Sequence, residues 1–174
     1  MALPTLHATR LVLRPFAPSD AADILRMAGD FAVADTTFAI PHPYLDGMAE
    51  AWMSRHEPQF ADGNALTLAI TEQSALRGAI SLMEISAGHQ AELGYWIGRD
   101  HWGRGFCTEA ARAMLDYAFT TLALVRVHAC HLTRNPASGR VMQKLGLQHE
   151  GRRTKHIHKW GRFDDLELYG IVKA

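Results

Sequence analysis

The chain has 174 residues, of which 48% are hydrophobic and 21% are charged, as in an ordinary globular protein. Its 18 lysines and arginines balance 18 aspartates and glutamates, so the net charge gives no general attraction to nucleic acid or to an anionic membrane. We therefore expect one domain over residues 1–174, with no direct DNA binding and no membrane partner.

The sequence shows no targeting feature. No apolar run approaches the ~20 residues of a transmembrane helix, and residues 1–7 lack the basic and apolar regions of a signal peptide. Cys107 and Cys130 are the only cysteines, which is typical of reduced thiols. These features together predict a cytoplasmic protein.

Apolar periodicity and breaker residues divide the first half of the chain. Pro18 with the acidic residue after it predicts a helix start, and Gly29 predicts its end. A polar turn separates two later apolar runs. In chain order we predict a strand over 10–15, a helix over 18–29, a loop over 30–44, a helix over 46–60, and strands over 65–70 and 79–85.

The second half of the chain follows the same rules. Asn135 and Pro136 form a strong helix start, because asparagine accepts from free backbone N–H groups and proline fits the first helical turn. Residues 148–160 are basic and rich in histidine. In chain order we predict a strand over 92–97, a glycine loop, a helix from 108, a strand over 125–132, a helix over 136–146 and a closing strand over 164–172.

The glycine loop between the central strand and helix has a chemical use. Gly103 and Gly105 remove side chains just where a helix start offers unpaired N–H groups and partial positive charge. This arrangement favours phosphate binding, although an ordinary turn into an amphipathic helix is the alternative. Gly105 is followed by Phe106 rather than lysine, which excludes a P-loop, and Thr108 replaces the third glycine of a dinucleotide fingerprint.

Five sequence blocks occur in a characteristic order along nearly the whole chain. They are RLVLRP at 10–15, AELGYWI at 91–97, WGRGFCTEA at 102–110, Asn135 with Ser138, and KLG at 144–146. With these blocks the chain resembles the GNAT superfamily of acetyltransferases. Within that superfamily it is similar to the RimJ/RimL branch, which acetylates the N-termini of proteins.

This resemblance implies an α+β (mixed α/β) fold of the GNAT acyl-CoA N-acyltransferase type. The implied architecture is a mixed, mostly antiparallel seven-stranded sheet flanked by about four helices. The strands around Trp96 and Val127 are expected to run parallel and then separate, so that the pantetheine arm of acetyl-CoA lies between them.

Three positions depart from the superfamily pattern. Trp102 stands where Arg or Gln usually opens the pyrophosphate loop, and Cys107 replaces its last Gly or Ala. The branch accepts both changes, so anion binding would depend on backbone N–H groups. Met142 occupies the position of a common tyrosine acid and has no proton to donate, so any such role must pass to another residue.

The resemblance implies acetyl-CoA as the co-substrate and no metal. A backbone N–H near Trp96 or Ile97 would polarise the thioester, and Asn135 would either bind pantetheine or cap its helix. Arg104 and Lys144 would bind CoA phosphates, unless they are ordinary surface charges. The predicted cofactor-binding residues are Trp96, Ile97, Gly103, Arg104, Gly105, Phe106, Cys107, Thr108, Asn135, Ser138 and Lys144.

Acetyl transfer to an amine needs a neutral nucleophile. An α-amine titrates near ~8 and a lysine near ~10.4, so only the α-amine is usefully neutral without a strong base. Glu92, on the strand before the loop, is the predicted base or substrate-orienting residue. The alternative is a surface glutamate paired with a base such as Arg77, and Glu84 is the second candidate.

Ser138 is the predicted partner of the departing thiolate, with first-turn helix capping as its alternative role. A covalent acyl-enzyme on Cys107 would need a lowered thiol pKa at the helix start, and no His or Asp is placed to support it. Direct transfer is therefore favoured. The pairs His128 with His131 and His156 with His158 do not form a recognised zinc spacing.

The predicted activity is N-acetylation of a protein N-terminal α-amine, on a ribosomal or another protein, within a ternary complex. A small amine, such as a polyamine, an amino acid or an antibiotic, is the alternative acceptor. A non-catalytic CoA-binding or ribosome-associated module is the alternative of another class. The basic run at 152–155 would contact acidic RNA or substrate, or be a solvated edge. The sequence allows a homodimer but does not require one.

Overall fold

The computed structural model describes residues 2–173, and their strands join into one sheet. In chain order the strands are β1 (Leu6–His7), β2 (Leu11–Arg14), β3 (Leu66–Glu72), β4 (Ala75–Ser86), β5 (Gln90–Ile97), β6 (Arg126–Leu132), β7 (Gln148–Lys159) and β8 (Arg162–Val172). Across the sheet the order is β1-β2-β3-β4-β5-β6-β8-β7. Neighbouring strands are antiparallel except β5 and β6, which are parallel.

The helices lie between the strands in sequence and cover both faces of the sheet. In chain order they are α1 (Ala21–Ala28), α2 (Phe31–Asp35), α3 (Met48–Met53), α4 (His56–Ala61), α5 (Phe106–Thr120) and α6 (Pro136–Lys144). Short 3-10 turns at Pro18–Asp20 and Arg99–His101 precede α1 and α5. None of the helices within residues 2–173 is long and apolar enough to cross a lipid bilayer.

The predicted α+β fold is confirmed, but the sheet has eight strands rather than seven, and six α-helices rather than about four accompany it. Hydrophobic periodicity did not predict β7, because its residues are polar and mostly exposed and so lack the alternation of a half-buried strand. β7 is an edge strand, interrupted by bulges, and its Arg152 donates to Glu167 at 2.7 Å. Charges and bulges protect such an edge from pairing with another chain.

The predicted helix over 46–60 is two helices, α3 and α4. Proline 58 explains the division, because it has no N–H to donate to the carbonyl four residues earlier, at Ser54. Ser54 is the residue that ends α3. The predicted loop over 30–44 also contains α2, in which the Ala32 N–H donates to the Asp30 side chain at 2.8 Å.

Two apolar clusters pack on opposite faces of the sheet. The larger one joins α5 and α6 to alternate residues of the central strands, and Leu68, Leu82 and Leu93 are almost completely buried in it. The smaller cluster joins α1 and α3 to the other face, where Ala69 is its contribution from β3. Because side chains alternate along a strand, β3 and β4 each contribute to both clusters.

Parallel pairing between β5 and β6 is short. Only Gln90, Ala91 and Glu92 pair with β6, opposite Arg126, Val127 and His128. Beyond that point β5 continues to Ile97 beside β4 alone, and β6 continues to Leu132 beside β8 alone. The predicted separation of these two strands is confirmed, and it opens a cleft in the middle of the sheet.

An ion pair ties β2 to the turn before α1. The Arg14 guanidinium donates to both oxygens of Asp20, at 2.7 and 2.9 Å, and the Ala17 N–H donates to the same carboxylate at 2.8 Å. Burial raises the pKa of Asp20, but the hydrogen bonds from Arg14 and Ala17 and the Arg14 charge outweigh it. The pKa of Asp20 therefore lies below its usual value.

Replacing this carboxylate, in Asp20→Asn, should lower the free energy of unfolding at neutral pH by about 1–3 kcal/mol, because the partly buried Arg14 loses its charged partner. The folded-state pKa of Asp20 is lowered. Its contribution is therefore complete above the unfolded pKa and is lost as the pH falls through the folded pKa. Urea unfolding of both proteins at neutral and at acidic pH measures this difference. A difference that stays constant on acidification would contradict the assignment.

Candidate active site

The loop that leads into α5 presents backbone to solvent. Gly103 and Gly105 have positive φ angles of 74° and 79°, which explains why both positions are glycine. A Cβ atom placed on Gly103 would meet nothing within 4 Å, so the space above the loop is open. Gly105 is the N-cap of α5 and offers no side chain to its first amides. That residues 103–108 bind a diphosphate through their N–H groups stays a prediction.

Arg10 holds this loop from the start of the chain. Its backbone N–H and Nε donate to Glu109 at 2.6 and 2.8 Å, and its NH2 group donates to the Arg104 carbonyl at 3.1 Å. The guanidinium also lies 5.2 Å from the centre of the Phe106 ring. Glu109 is in the first turn of α5, and pairing with Arg10 neutralises a carboxylate that would otherwise repel an anion there.

Trp102 closes the loop instead of binding an anion. Its indole Nε1 donates to the Ile97 carbonyl at 2.7 Å, across the turn that follows β5. Arg104 and Lys144 are both exposed. Lys144 lies at the end of α6, where its carbonyl accepts from Arg112 of α5 at 3.4 Å. Their binding to CoA phosphates stays a prediction.

The free edge of β5 offers backbone groups to the cleft. The Gly98 N–H, just after β5, donates to the Arg77 carbonyl of β4 at 2.9 Å. Because backbone groups alternate in direction along a strand, those of Trp96 also point to β4 and those of Ile97 point to the cleft. Of the two residues predicted to polarise the thioester, this direction favours Ile97.

Tyr95 and Ser138 meet across the cleft. The Tyr95 hydroxyl lies 3.1 Å from the Ser138 Oγ and donates to the Ser138 carbonyl at 3.1 Å. Ser138 is in the first turn of α6, where its N–H donates to the Asn135 side chain at 3.4 Å. Asn135 also donates from Nδ2 to the Thr36 carbonyl at 3.3 Å, so it caps α6 and ties it to the end of α2.

Sequence reasoning named Tyr95 only as part of the strand and missed this contact. Burial raises the pKa of Tyr95 well above its usual value, against the lowering effect of the Ser138 hydrogen bond. The phenol therefore stays protonated and can donate. Met142, at the position of the superfamily's common tyrosine, is almost completely buried in the core. A phenol from β5 thus stands beside Ser138 in a site whose usual acid is missing.

Glu92 is the last residue of β5 that pairs with β6. Its Oε1 accepts from the Cys130 thiol at 3.3 Å. Burial first, and then the Glu92 charge and hydrogen bond, raise the pKa of Cys130 to about 12, so this thiol remains a donor. Arg77 pairs with Glu72 at 3.2 Å, so the alternative of an Arg77–Glu92 pair is wrong.

Glu84, the second candidate base, and Cys107, the candidate nucleophile, are less well placed than Glu92. Glu84 is exposed at a bulge of β4, with a positive φ of 50°. Burial raises the pKa of the Cys107 thiol to about 12, which is opposite to the lowering expected at a helix start. Cys107 is therefore not held as a thiolate nucleophile.

Loosening the loop should weaken nucleotide binding. In Arg10→Gln the contacts with Glu109 and Arg104 weaken, and we expect the KM for acetyl-CoA to rise about tenfold while kcat changes little. Initial rates over a range of acetyl-CoA concentrations measure this. Arg26→Gln is the matched control, because it removes an exposed arginine pair with Asp23 that lies within α1. An unchanged KM in Arg10→Gln would contradict the positioning role of Arg10.

Comparison with known proteins agrees with this geometry. Residues 10–148 match the family model described as "Acetyltransferase (GNAT) domain". The chain is 34% identical to the "Putative ribosomal N-acetyltransferase YdaF" of Bacillus subtilis (strain 168), over 66% of this chain and 63% of that protein. That match spans less than two thirds of the relative's own length.

Two further relatives match along almost their whole length. The "Uncharacterized N-acetyltransferase p20" of Bacillus licheniformis is 29% identical over 97% of this chain and 96% of that protein. A "Spermidine N(1)-acetyltransferase" of Vibrio cholerae serotype O1 is 25% identical over 95% of each chain.

Solved structures show the same fold. A crystal structure of a "Probable acetyltransferase" superposes with a TM-score of 0.86 at 28% identity, over 98% of this chain and 97% of that one. RimL, the ribosomal L7/L12 alpha-N-protein acetyltransferase in complex with coenzyme A, gives a TM-score of 0.89 at 17% identity, over 97% and 98%, a likeness of fold alone. The predicted family is confirmed, and the chain belongs to the GNAT family of acetyl-CoA-dependent N-acetyltransferases.

Proposed function

We propose that this protein transfers the acetyl group of acetyl-CoA to the N-terminal α-amine of a protein, in one step within a ternary complex. The observation that carries this proposal is the position of Glu92 at the last β5–β6 pair. Leu93, the next residue, is buried in the core with α5, so Glu92 faces the opposite side of the sheet. Its carboxylate lies where the cleft opens, on the face away from α5.

A groove on that same face suits the acceptor. It has a volume of about 500 Å³ and lies between α3 and α4 on one side and β3 and β4 on the other. Met83 lines this acceptor groove and is the cross-strand partner of Glu92. An amine that enters along the groove therefore approaches Glu92, while the diphosphate loop stays on the other side of the sheet.

The strength of the base fits an α-amine. A carboxylate is a mild base, and an α-amine with a pKa near ~8 needs little help to lose its proton, whereas lysine at ~10.4 needs much more. The similarity to the "Putative ribosomal N-acetyltransferase YdaF" supports a protein acceptor, and a ribosomal protein is the class that the name of this relative suggests.

The chain's own residues account for each requirement of direct transfer. Acetyl-CoA supplies the acetyl group as a thioester, and the amine nitrogen bonds the carbonyl carbon as the C–S bond breaks. The Ile97 N–H is directed into the cleft, where it can hydrogen-bond the thioester oxygen. Glu92 receives the amine proton, and the Ser138 hydroxyl hydrogen-bonds the departing sulfur when the Tyr95 hydroxyl donates to the Ser138 Oγ.

A polyamine is the second candidate acceptor, because a spermidine acetyltransferase is among the relatives. A molecule with several ammonium groups is expected to need several carboxylates. Within the described chain, Glu84 is the single carboxylate that lines the acceptor groove, and Arg55 lines it as well. This balance of charge favours an acceptor with one amine.

The direct test is thiol release from acetyl-CoA with a panel of acceptors. We expect turnover with peptides that have a free N-terminus, none with the same peptides blocked at that end, and little with spermidine or aminoglycosides. Glu92→Gln should lower kcat by about 10²–10⁴-fold, because the amide keeps the shape but accepts no proton.

Asp116→Asn, at an exposed position of α5, is the matched control for loss of a carboxylate. Preferred turnover of spermidine would replace the protein acceptor with the polyamine. Binding of acetyl-CoA without release of thiol for any amine would instead indicate a non-catalytic module. A larger loss in Glu84→Gln than in Glu92→Gln would move the base to Glu84.

Tyr95 should act through Ser138. We expect Ser138→Ala to lower kcat by about 10–100-fold and Tyr95→Phe by less, and the double variant to be no slower than Ser138→Ala alone. Tyr117→Phe is the control, because it removes a phenol hydroxyl from α5 and leaves the Tyr95–Ser138 contact intact. If the two effects multiplied in the double variant, Tyr95 and Ser138 would be independent and the relation between them would be wrong.

A further inference from the structure

His56 is a buried histidine without a hydrogen-bond partner. It is the first residue of α4 and is only 4% exposed, and within residues 2–173 neither ring nitrogen has a partner. Burial first, and then the nearby Arg55 charge, lower the pKa of His56 to about 4, so the ring is neutral near neutral pH. A neutral imidazole offers one donor and one acceptor, and both are unused here.

Packing does not explain why this residue is polar. The imidazole meets the Trp52 ring edge-on, with 4.5 Å between ring centres, and lies 5.4 Å from Phe16. A phenyl ring of similar size could make these contacts without leaving polar atoms unpaired. Unpaired buried polar atoms cost stability, so each such atom in a folded protein requires an explanation.

The unpaired ring lines the acceptor groove defined above. Its other polar lining is mainly uncharged and includes Gln59, Asn64, Thr67 and Ser81. Thr67 and Ser81 hydrogen-bond each other at 2.9 Å across β3 and β4. The groove thus combines neutral donors and acceptors with an aromatic wall at Trp52, and Met83 connects it to Glu92.

We infer that His56 hydrogen-bonds the first peptide group of the acceptor and selects peptides over simple amines. In a trans peptide the N–H and C=O point in opposite directions, so the ring contacts one of them, and the peptide N–H can donate to the ring nitrogen that carries no proton. A spermidine chain carries no carbonyl and would place further ammonium groups in a groove that contains Arg55. This inference rests on the proposed acetylation of protein N-termini and adds the residue that recognises them.

The experiment compares three proteins with two acceptors. The proteins are the wild type, His56→Phe, which keeps the packing, and His56→Gln, which restores a donor and an acceptor. The acceptors are a decapeptide with a free N-terminus and the same molecule with its first peptide bond replaced by an ester, which removes the N–H donor.

We expect His56→Phe to raise the KM for the decapeptide about tenfold, with kcat and the KM for acetyl-CoA little changed, and His56→Gln to recover part of this loss. For the wild type, the ester should have a higher KM than the decapeptide. For His56→Phe the two acceptors should have similar KM values, because this variant already lacks the hydrogen bond to the first peptide group. The melting temperature of His56→Phe should be equal to or above that of the wild type. His7→Phe, at an exposed position of β1, is the control.

Three results would overturn the inference. The first is an unchanged peptide KM in His56→Phe while the wild type acetylates the decapeptide, which would leave the proposed function standing. The second is a lowered melting temperature with equal losses for both substrates, which would make His56 a structural residue. The third is no binding of the decapeptide to the wild type by calorimetry in the presence of CoA. If instead the wild type binds the decapeptide more tightly than His56→Phe does but transfers no acetyl group, the proposed function fails and the recognition by His56 stands.

Discussion

The separation of β5 from β6 is the constraint on which the site depends. Three consecutive pairs hold the two strands together up to Glu92 and His128, and each strand then follows its other neighbour. This leaves the β5 edge without a strand partner at Ile97, which would be impossible in a fully paired sheet. It also leaves room for Tyr95 to reach across to α6 and contact Ser138.

The predicted anion binding at the start of α5 would depend on the backbone, because the nearby side chains are occupied by other contacts. Trp102 fastens the turn to the Ile97 carbonyl, and Glu109 is occupied by Arg10. Arg10 comes from the segment just before β2 and is 99 residues away from Glu109 in sequence, so a distant part of the chain positions the loop. A loop supported in this way keeps its amides free for a ligand.

Local signals predicted the parts of the fold that local physics determines. The Asn135 cap, the glycine loop and the alternation in the central strands all follow from a few adjacent residues, and they were predicted correctly. The break at Pro58 was also visible in the sequence, but the helical periodicity of residues 46–60 concealed it. Contacts such as Tyr95–Ser138 were not predictable because the partners are 43 residues apart and each has an ordinary local role.

Burial gives the candidate site a consistent electrostatic character. Tyr95, Cys130 and His56 all have pKa values moved in the direction that keeps them neutral, and in each case desolvation is the largest cause. The thiol of Cys130 donates to Glu92, so the hydrogen-bond donor to this carboxylate is a neutral group. A site of this kind suits a reaction that must begin with an uncharged amine. The sheet separates the proposed acceptor groove from the amides of α5, and Glu92 lies at the point where the two sides meet.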